Sequence, residues 1–178
     1  MKNTLQTIKK AGFYSAFFGV SLLSAQTTYT FTNASATGSV GPTAPQITAA
    51  YLATNLNGSV TVVSGIQQFT VPVTGPYRIA AYGAQGGGAQ GGKGAMIQGD
   101  ITLTAGQVLK ILVGQQGLTT FPVTSGGGGA FVAVGSNTAL VVAGGGGSST
   151  MLTSTCDGTT SIGGQVAYGG WPVVGLQS

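Results

Sequence analysis

Glycine is distributed unevenly along this chain of 178 residues, and its distribution constrains the fold more than any other feature. From Gly83 onward, 26 of 96 residues are glycine, with runs at 86–88, 126–129 and 144–147, whereas the first 82 residues contain seven. Each glycine weakens an ordinary strand by roughly 0.5–1 kcal/mol through lost chain entropy. Runs of glycine therefore persist in an ordered domain only where no side chain fits.

Two arrangements suit such runs. In the first, they form polyproline-II-type helices with three residues per turn, packed so closely that only glycine fits at the contacts. The N–H and C=O groups of neighbouring helices then pair with each other. In the second, the runs are flexible linkers. Because apolar segments with strand-like patterns adjoin the runs, we favour the packed arrangement.

The first 25 residues have the layout of a secretory signal peptide. Three lysines fall within the first ten residues, and residues 11–23 are uncharged and mostly apolar. This stretch of 13 residues is shorter than the roughly 20 that a membrane-spanning helix needs. We predict cleavage between Ala25 and Gln26, with a retained N-terminal membrane anchor as the alternative.

Charge and residue types exclude several classes of function. The net charge of +4 includes three lysines of the predicted signal, so the mature chain would carry +1. Nucleic-acid binding needs clustered Lys and Arg, so it is not expected. The chain has no histidine and no glutamate, and its only carboxylates are Asp100 and Asp157, both interpreted as turn residues. With Cys156 as the one cysteine, we expect no metal site, no cofactor and no enzymatic activity.

Period-two alternation and turn residues predict a mainly β domain with at most one short helix. The helix is expected after an N-cap at Thr43, with Ile47, Ala50 and Tyr51 on one face. A kink is expected at Gly99-Asp100, and hairpin turns at 57–58 and 135–138. Short strands between turns are typical of a β-sandwich or jelly roll. The predicted strands are residues 28–32, 59–63, 66–71, 77–82, 95–104, 108–113, 131–134 and 139–143.

Residues 87–94 come within one position of a phosphate-binding loop. That motif needs Ser or Thr after its lysine and a helix beyond it. Here Gly94 follows Lys93, and the next segment is predicted to be a strand. We therefore expect no nucleotide to bind.

The candidate ligand contacts are exposed aromatic rings. Tyr168 and Trp171 flank a glycine pair, and Phe121 lies within a predicted loop at 118–125. Such rings stack on sugars or on another protein. The alternative, in which Trp171 fills the core, is favoured on the residues alone.

A series of motifs resembles the glycine-rich domain found in the ectodomains of anaplastic lymphoma kinase and leukocyte tyrosine kinase, and in exported bacterial proteins. The resemblance covers roughly residues 66–149, and its most specific part is the stretch Ile111-Leu112-Val113-Gly114-Gln115-Gln116-Gly117 between glycine runs. It implies a tumour-necrosis-factor-like β-sandwich with polyglycine-II helices, placed outside the cell and involved in ligand recognition. The family often shows further glycine runs, which leaves open a truncation at the C-terminus.

The expected organisation is a signal peptide at 1–25, a β-rich lead-in with a short helix at 26–65, and a glycine-rich domain at 66–178. The expected function is a non-enzymatic recognition or adhesion module, secreted or at the cell surface, that binds a protein or glycan ligand. The alternative is a passive structural component of a cell surface or matrix that associates with itself.

Overall fold

The computed structural model describes residues 26–120, 124–148 and 156–160, and these residues are mainly β. They form one short helix and seven strands, and all strand pairs are antiparallel. The elements are α1 (Ala44–Tyr51), β1 (Val60–Val63), β2 (Ile66–Thr70), β3 (Gly75–Tyr82), β4 (Met96–Leu103), β5 (Val108–Leu112), β6 (Ala130–Val134) and β7 (Thr138–Ala143).

The strands form two sheets that pack against each other. One has five strands in the order β1-β2-β5-β6-β7, and the other consists of β3 and β4. Both β3 and β4 contact β7. Small side chains fill the space between the sheets, because Ala81, Ala130, Val141 and Ala143 form one buried cluster. The larger core cluster joins the N-terminal segment, the five-stranded sheet and β4, and it includes Phe69, Leu109 and Leu103.

The predicted helix is confirmed, with one correction. Thr43 is the N-cap, and its backbone N–H donates to Oε1 of Gln46 at 2.8 Å. Ile47 and Tyr51 are buried as expected, but Ala50 is exposed. A helix of eight residues buries only the narrow stripe formed by positions four apart.

The strand predicted at residues 28–32 is wrong. This segment has no regular secondary structure and joins neither sheet within the described residues, although its side chains alternate between exposed and half-buried. Its alternation instead directs Tyr29 and Phe31 towards Phe69, with ring centroids 4.9 and 5.5 Å away. An extended chain shows period two whether or not it has a strand partner, so the pattern could not distinguish the two cases.

A buried polar network holds this N-terminal segment in place. The Tyr51 hydroxyl donates to Oε1 of Gln67 at 2.7 Å, and Nε2 of Gln67 donates to the Thr32 carbonyl at 2.7 Å. The Thr32 N–H donates in turn to the Tyr51 hydroxyl at 3.0 Å. Gln67 is only 1% exposed, so leaving its side-chain amide without these partners would lower the free energy of unfolding. The network joins the segment, α1 and β2.

The predicted kink at Gly99-Asp100 is also wrong. Both residues lie within β4, and the register with β3 runs without interruption through Ile79 opposite Gly99. The irregularity falls instead between Val132 and Ala133, where the pairing of β6 with β7 shifts. The turn predicted at 135–138 is confirmed between those two strands at residues 135–137, while Thr138 already belongs to β7.

The buried network generates a stability prediction. Tyr51→Phe removes the hydroxyl that satisfies both Gln67 and Thr32, so we expect the free energy of unfolding to fall by about 1–3 kcal/mol. Urea denaturation followed by fluorescence measures this change. Tyr82→Phe is the matched control, because the Tyr82 ring is 63% exposed. Equal stability of the two variants would contradict the role assigned to the network.

Candidate functional site

Six glycine-containing segments lie beyond one end of both sheets, and we call them together the glycine bundle. They adjoin strand ends that the antiparallel pairing brings side by side, such as Tyr82 opposite Met96 and Ala130 opposite Ala143. The bundle therefore continues both sheets in one direction. Its segments are residues 83–88, 91–95, 114–118, 125–129, 144–148 and 156–158.

Backbone hydrogen bonds join the segments of the bundle, and their donors recur every third residue. Two N–H groups three positions apart donate to the same neighbouring segment, and the two residues between them do not donate to that segment. Segment 83–88 exchanges bonds with four of the other five segments. The repeating donor pairs are Gly83 and Gly86 towards 91–95, Ala84 and Gly87 towards 125–129, Gly92 and Ala95 towards 144–148, and Ser125 and Gly128 towards 114–118.

The close approach of these backbones explains why the segments contain glycine. A Cβ on Gly146 would overlap the carbonyl of Gly92, and one on Gly127 would overlap the carbonyl of Ala84. Such overlaps involve main chain on both sides, so no side-chain rotation relieves them. Gly144 differs, because a Cβ there would meet nothing within 4 Å. The need for glycine is thus position-specific, even within one run.

The predicted loop at 118–125 leaves the bundle and returns to it. Its base is closed by two hydrogen bonds: Ser125 N–H donates to the Leu118 carbonyl at 3.2 Å, and Leu118 N–H donates to Oγ of Ser125 at 2.8 Å. Leu118 is 61% exposed. The bundle thus presents a loop with a constrained base and an exposed apolar side chain. Composition signalled the loop, but it did not reveal the closing role of the Ser125 hydroxyl.

The predicted ligand contacts lie beyond what the structure describes. Phe121 falls in the interval at 121–123, and Tyr168 and Trp171 fall after residue 160. Of the two residues at the predicted cleavage site, Ala25 is likewise outside the described residues, while Gln26 is described and exposed. All five remain sequence predictions.

Both carboxylates have structural partners. Asp100 faces Arg78 across β3 and β4, with Arg78 Nε 2.7 Å from Oδ1 and Nη2 2.8 Å from Oδ2. This position in a strand corrects the expectation of a turn. The side-chain hydrogen bond from Arg78 lowers the pKa of Asp100 below its usual value, with the guanidinium charge acting in the same direction. Asp157 accepts a hydrogen bond from the Lys93 N–H at 2.7 Å, which joins two bundle segments.

The phosphate-loop-like stretch at 87–94 is part of the bundle. The sequence predicted a strand after this stretch, and β4 follows it in the structure in place of the helix that a phosphate-binding loop requires. The N–H of Lys93 already donates to Asp157, and the N–H of Gly92 donates to the Gly147 carbonyl. These two N–H groups, together with those of Gly87 and Gly91, are therefore engaged in hydrogen bonds within the chain.

The described residues also include a small cavity, and they contain no cluster of metal ligands. A cavity of about 90 Å³ lies beside α1, well below the roughly 300–1,000 Å³ of typical ligand pockets. In ranges 26–120, 124–148 and 156–160, no three residues among His, Cys, Asp and Glu come together as metal ligands. The cavity is lined by Ile47, Thr48, Tyr51, Leu56, Asn57, Gly58 and Val60.

Comparison with known proteins relates part of the chain to a receptor. Over 102 residues it is 37% identical to the leukocyte tyrosine kinase receptor of Mus musculus, an alignment that takes in 53% of this chain. The aligned part amounts to 12% of the receptor's length. No family model matches the chain. None of the described residues belongs to a helix long and apolar enough to cross a membrane.

Adjacent glycines of one run provide a test of the bundle. Gly146→Ala places a methyl group against the Gly92 carbonyl, so we expect a loss of roughly 1–3 kcal/mol in the free energy of unfolding. Gly144→Ala meets open space, so it should be neutral or stabilising by up to about 1 kcal/mol. Thermal and urea denaturation measure both variants. A similar loss for the two would show that these segments are not closely packed.

The pairing of Arg78 with Asp100 generates a pH prediction. Because the pKa of Asp100 is lowered in the folded protein, the stability it contributes is present above the unfolded pKa and is lost as pH falls through the folded pKa. The Tm of the wild type should exceed that of Asp100→Asn by a small margin at neutral pH. That margin should shrink between about pH 5 and pH 2.

The control for this pH prediction removes the partner. In an Arg78→Gln background, Asp100→Asn should produce a Tm difference without the same pH dependence, since the cause of the lowered pKa is gone. An unchanged profile in that background would assign the effect to another group.

Proposed function

We propose that this chain is an exported, non-enzymatic recognition or adhesion module, secreted or at a cell surface, that binds a protein or glycan ligand. The observation that carries the proposal is the loop at 118–125, whose base is closed by hydrogen bonds at Leu118 and Ser125 on the glycine bundle. The partial relation to leukocyte tyrosine kinase receptor supports an extracellular setting. The absence of histidine and glutamate from the sequence supports the non-enzymatic part.

The bundle itself is proposed to be of the polyglycine-II type, next to a tumour-necrosis-factor-like sandwich. Support comes from the three-residue recurrence of donors, since a helix with three residues per turn directs every third N–H to the same neighbour. The overlap that a Cβ on Gly146 or Gly127 would cause supports the same assignment. The packing of the five-stranded sheet against β3 and β4 is compatible with a sandwich.

Such a bundle suits recognition because it fixes the base of the loop at Leu118 and Ser125. A loop that is already ordered loses less conformational entropy when its ligand binds. The bonds between Leu118 and Ser125 constrain the loop at its base, leaving Phe121 as the proposed contact near its centre. Tyr168 and Trp171 are proposed as further contacts. Residues 1–25 are proposed as a signal that directs export, with cleavage between Ala25 and Gln26.

The test is an array of glycans and cell-surface proteins probed with the purified exported protein. We expect at least one target that the wild type binds. Phe121→Ala and Trp171→Ala should each weaken that binding at least tenfold, while their far-UV spectra stay those of the wild type. Tyr82→Ala is the matched control: the ring is 63% exposed and lies on β3 outside the proposed loops. If all three variants lost the same amount of binding, the proposed loops would not be the part of the molecule that contacts the ligand.

A second candidate function is a passive, self-associating component of a cell surface or matrix. It is favoured by the small charge of the described part, where Arg78, Lys93 and Lys110 stand against Asp100 and Asp157. A net charge near zero promotes association. Concentration-dependent assembly without any target on the array would favour this candidate over the recognition module.

A further inference from the structure

The turn between α1 and β1 contains the one Asn-Gly dipeptide of the sequence, formed by Asn57 and Gly58. Both residues are exposed to solvent. Gly58 has a φ of +71°, and a Cβ placed on it would meet nothing within 4 Å. Water therefore reaches this dipeptide, and no neighbouring group restricts the space around Gly58.

The peptide group that joins Asn57 to Gly58 is not held by hydrogen bonds. The turn is fixed on both sides of it, because the Asn57 N–H donates to the Thr54 carbonyl at 3.2 Å and the Ser59 N–H donates to the Leu56 carbonyl at 2.9 Å. Among the described residues, no hydrogen bond involves the Asn57 carbonyl, the Asn57 side chain or the Gly58 N–H. The side-chain amide and the Gly58 nitrogen can therefore approach each other without breaking a hydrogen bond.

The three other asparagines of the described residues are held. Each is followed by a residue that carries a side chain, and each makes a side-chain hydrogen bond. The bonds run from Asn33 Nδ2 to the Ala36 carbonyl at 3.1 Å, from Asn55 Nδ2 to the Thr28 carbonyl at 2.8 Å, and from the Lys110 ammonium group to Asn137 Oδ1 at 2.9 Å. Asn57 thus differs from them in both its neighbour and its freedom.

We propose that Asn57 is a site of spontaneous deamidation, a covalent modification of the folded protein. The Gly58 nitrogen attacks Cγ of Asn57, so a new C–N bond closes a succinimide ring. The bond from Cγ to Nδ2 breaks, and Nδ2 leaves as ammonia with the proton from the Gly58 N–H. Water then opens the ring at one of its two carbonyl groups, which yields aspartate or isoaspartate. Glycine favours the attack because it has no Cβ to crowd the nitrogen.

The isoaspartate product changes the main chain at a sensitive position. Its backbone runs through the former side chain and is longer by one carbon. This carbon falls inside the turn that the hydrogen bond from Ser59 N–H to the Leu56 carbonyl closes. Leu56 is a core residue with 1% exposure, and β1 begins at Val60. We therefore expect isoaspartate to disturb the link between the core and the edge strand β1.

Both products also place a carboxylate where the amide was. Asn57 and Gly58 line the small cavity beside α1 together with Thr48 and Tyr51 of the helix. The last turn of α1 contains no basic residue that could compensate the new charge. A negative charge near a helix C-terminus opposes the helix dipole. Aspartate should therefore lower the Tm slightly, and isoaspartate should lower it further. The inference goes beyond the proposed recognition function and does not rest on it.

The first test compares the four asparagines within one molecule. The purified exported protein is incubated at neutral pH below its Tm, and peptides are sequenced by tandem mass spectrometry. Isoaspartate is labelled with an isoaspartate-specific methyltransferase. Asn57 should be converted at least tenfold faster than Asn33, Asn55 or Asn137. Asn57→Gln is the matched control: it keeps the amide but would need a larger ring, so it should abolish the fast labelling.

The second test separates the effect of the fold from that of the dipeptide. Ala34→Gly places a glycine after Asn33, at a position whose φ of +50° glycine adopts readily. Asn33 stays held there by its bond to Ala36, and the N–H of position 34 donates to Oγ1 of Thr32 at 3.2 Å. In the folded variant, Asn57 should react at least tenfold faster than Asn33. In urea the two rates should be equal. Equal rates in the folded variant would refute the role of the free peptide group.

The third measurement is the Tm after incubation. Asn57→Glu adds the charge without closing the ring, so it separates the charge from the longer backbone. We expect the Tm to fall in the order Asn57→Gln, Asn57→Glu and the isoaspartate form of the wild type. A modified wild type as stable as Asn57→Gln would contradict the coupling of this turn to the core. The proposal as a whole is overturned if Asn57 is converted no faster than the three held asparagines.

Discussion

Backbone contact without intervening side chains is the constraint on which this molecule depends. Where two main chains approach as closely as Gly146 and Gly92, a single Cβ would overlap a carbonyl. The attraction between them comes from N–H and C=O groups that are present at every position. In most domains the hydrophobic effect selects which residues meet. In the glycine bundle, the close approach of the main chains instead selects glycine at positions such as Gly146 and Gly127, because a side chain there would overlap a neighbouring carbonyl.

The sheets provide the side-chain specificity that the bundle lacks. The cluster around Phe69 and the hydrogen bonds among Tyr51, Gln67 and Thr32 hold the two ends of a long N-terminal segment against β2. Small residues between the sheets, such as Ala81 and Ala143, bring β3 and β7 close together. That closeness at the strand ends lets segments from both sheets enter one bundle. The packed body thus sets the spacing at which the glycine segments emerge.

Local patterns in the sequence predicted most elements but not their partners. Thr43 and the spacing of Ile47 and Tyr51 identified α1, because capping and helical periodicity are properties of neighbouring residues. The strand at 28–32 failed since an extended chain has the same periodicity without a ladder. The pairing of Arg78 with Asp100 could not be found, because β3 and β4 are separated by bundle segments and their register depends on tertiary contacts.

The candidate site could likewise be predicted only in outline, because local patterns do not show which segments become neighbours. Composition located the loop at 118–125, but the bond to the Ser125 hydroxyl that closes it follows from the position of segment 125–129 in the bundle. Glycine runs signalled close packing without showing that Gly144, unlike Gly146, faces open space. These distinctions arise from which segments become neighbours, and a single sequence does not encode that in any local pattern.

The reach of the bundle's hydrogen bonds has a consequence for how the protein is made. The Gly146 N–H bonds to Ala84, and the Gly158 N–H bonds to Lys93, so partners are separated by more than sixty residues. Contacts this distant in sequence slow folding, because a large loop must close before they form. A ribosome must therefore release the chain as far as Gly158 before the last described segment can join the bundle. Until then the unpaired glycine segments expose mostly backbone. They therefore expose little apolar side-chain surface through which unfolded chains could aggregate.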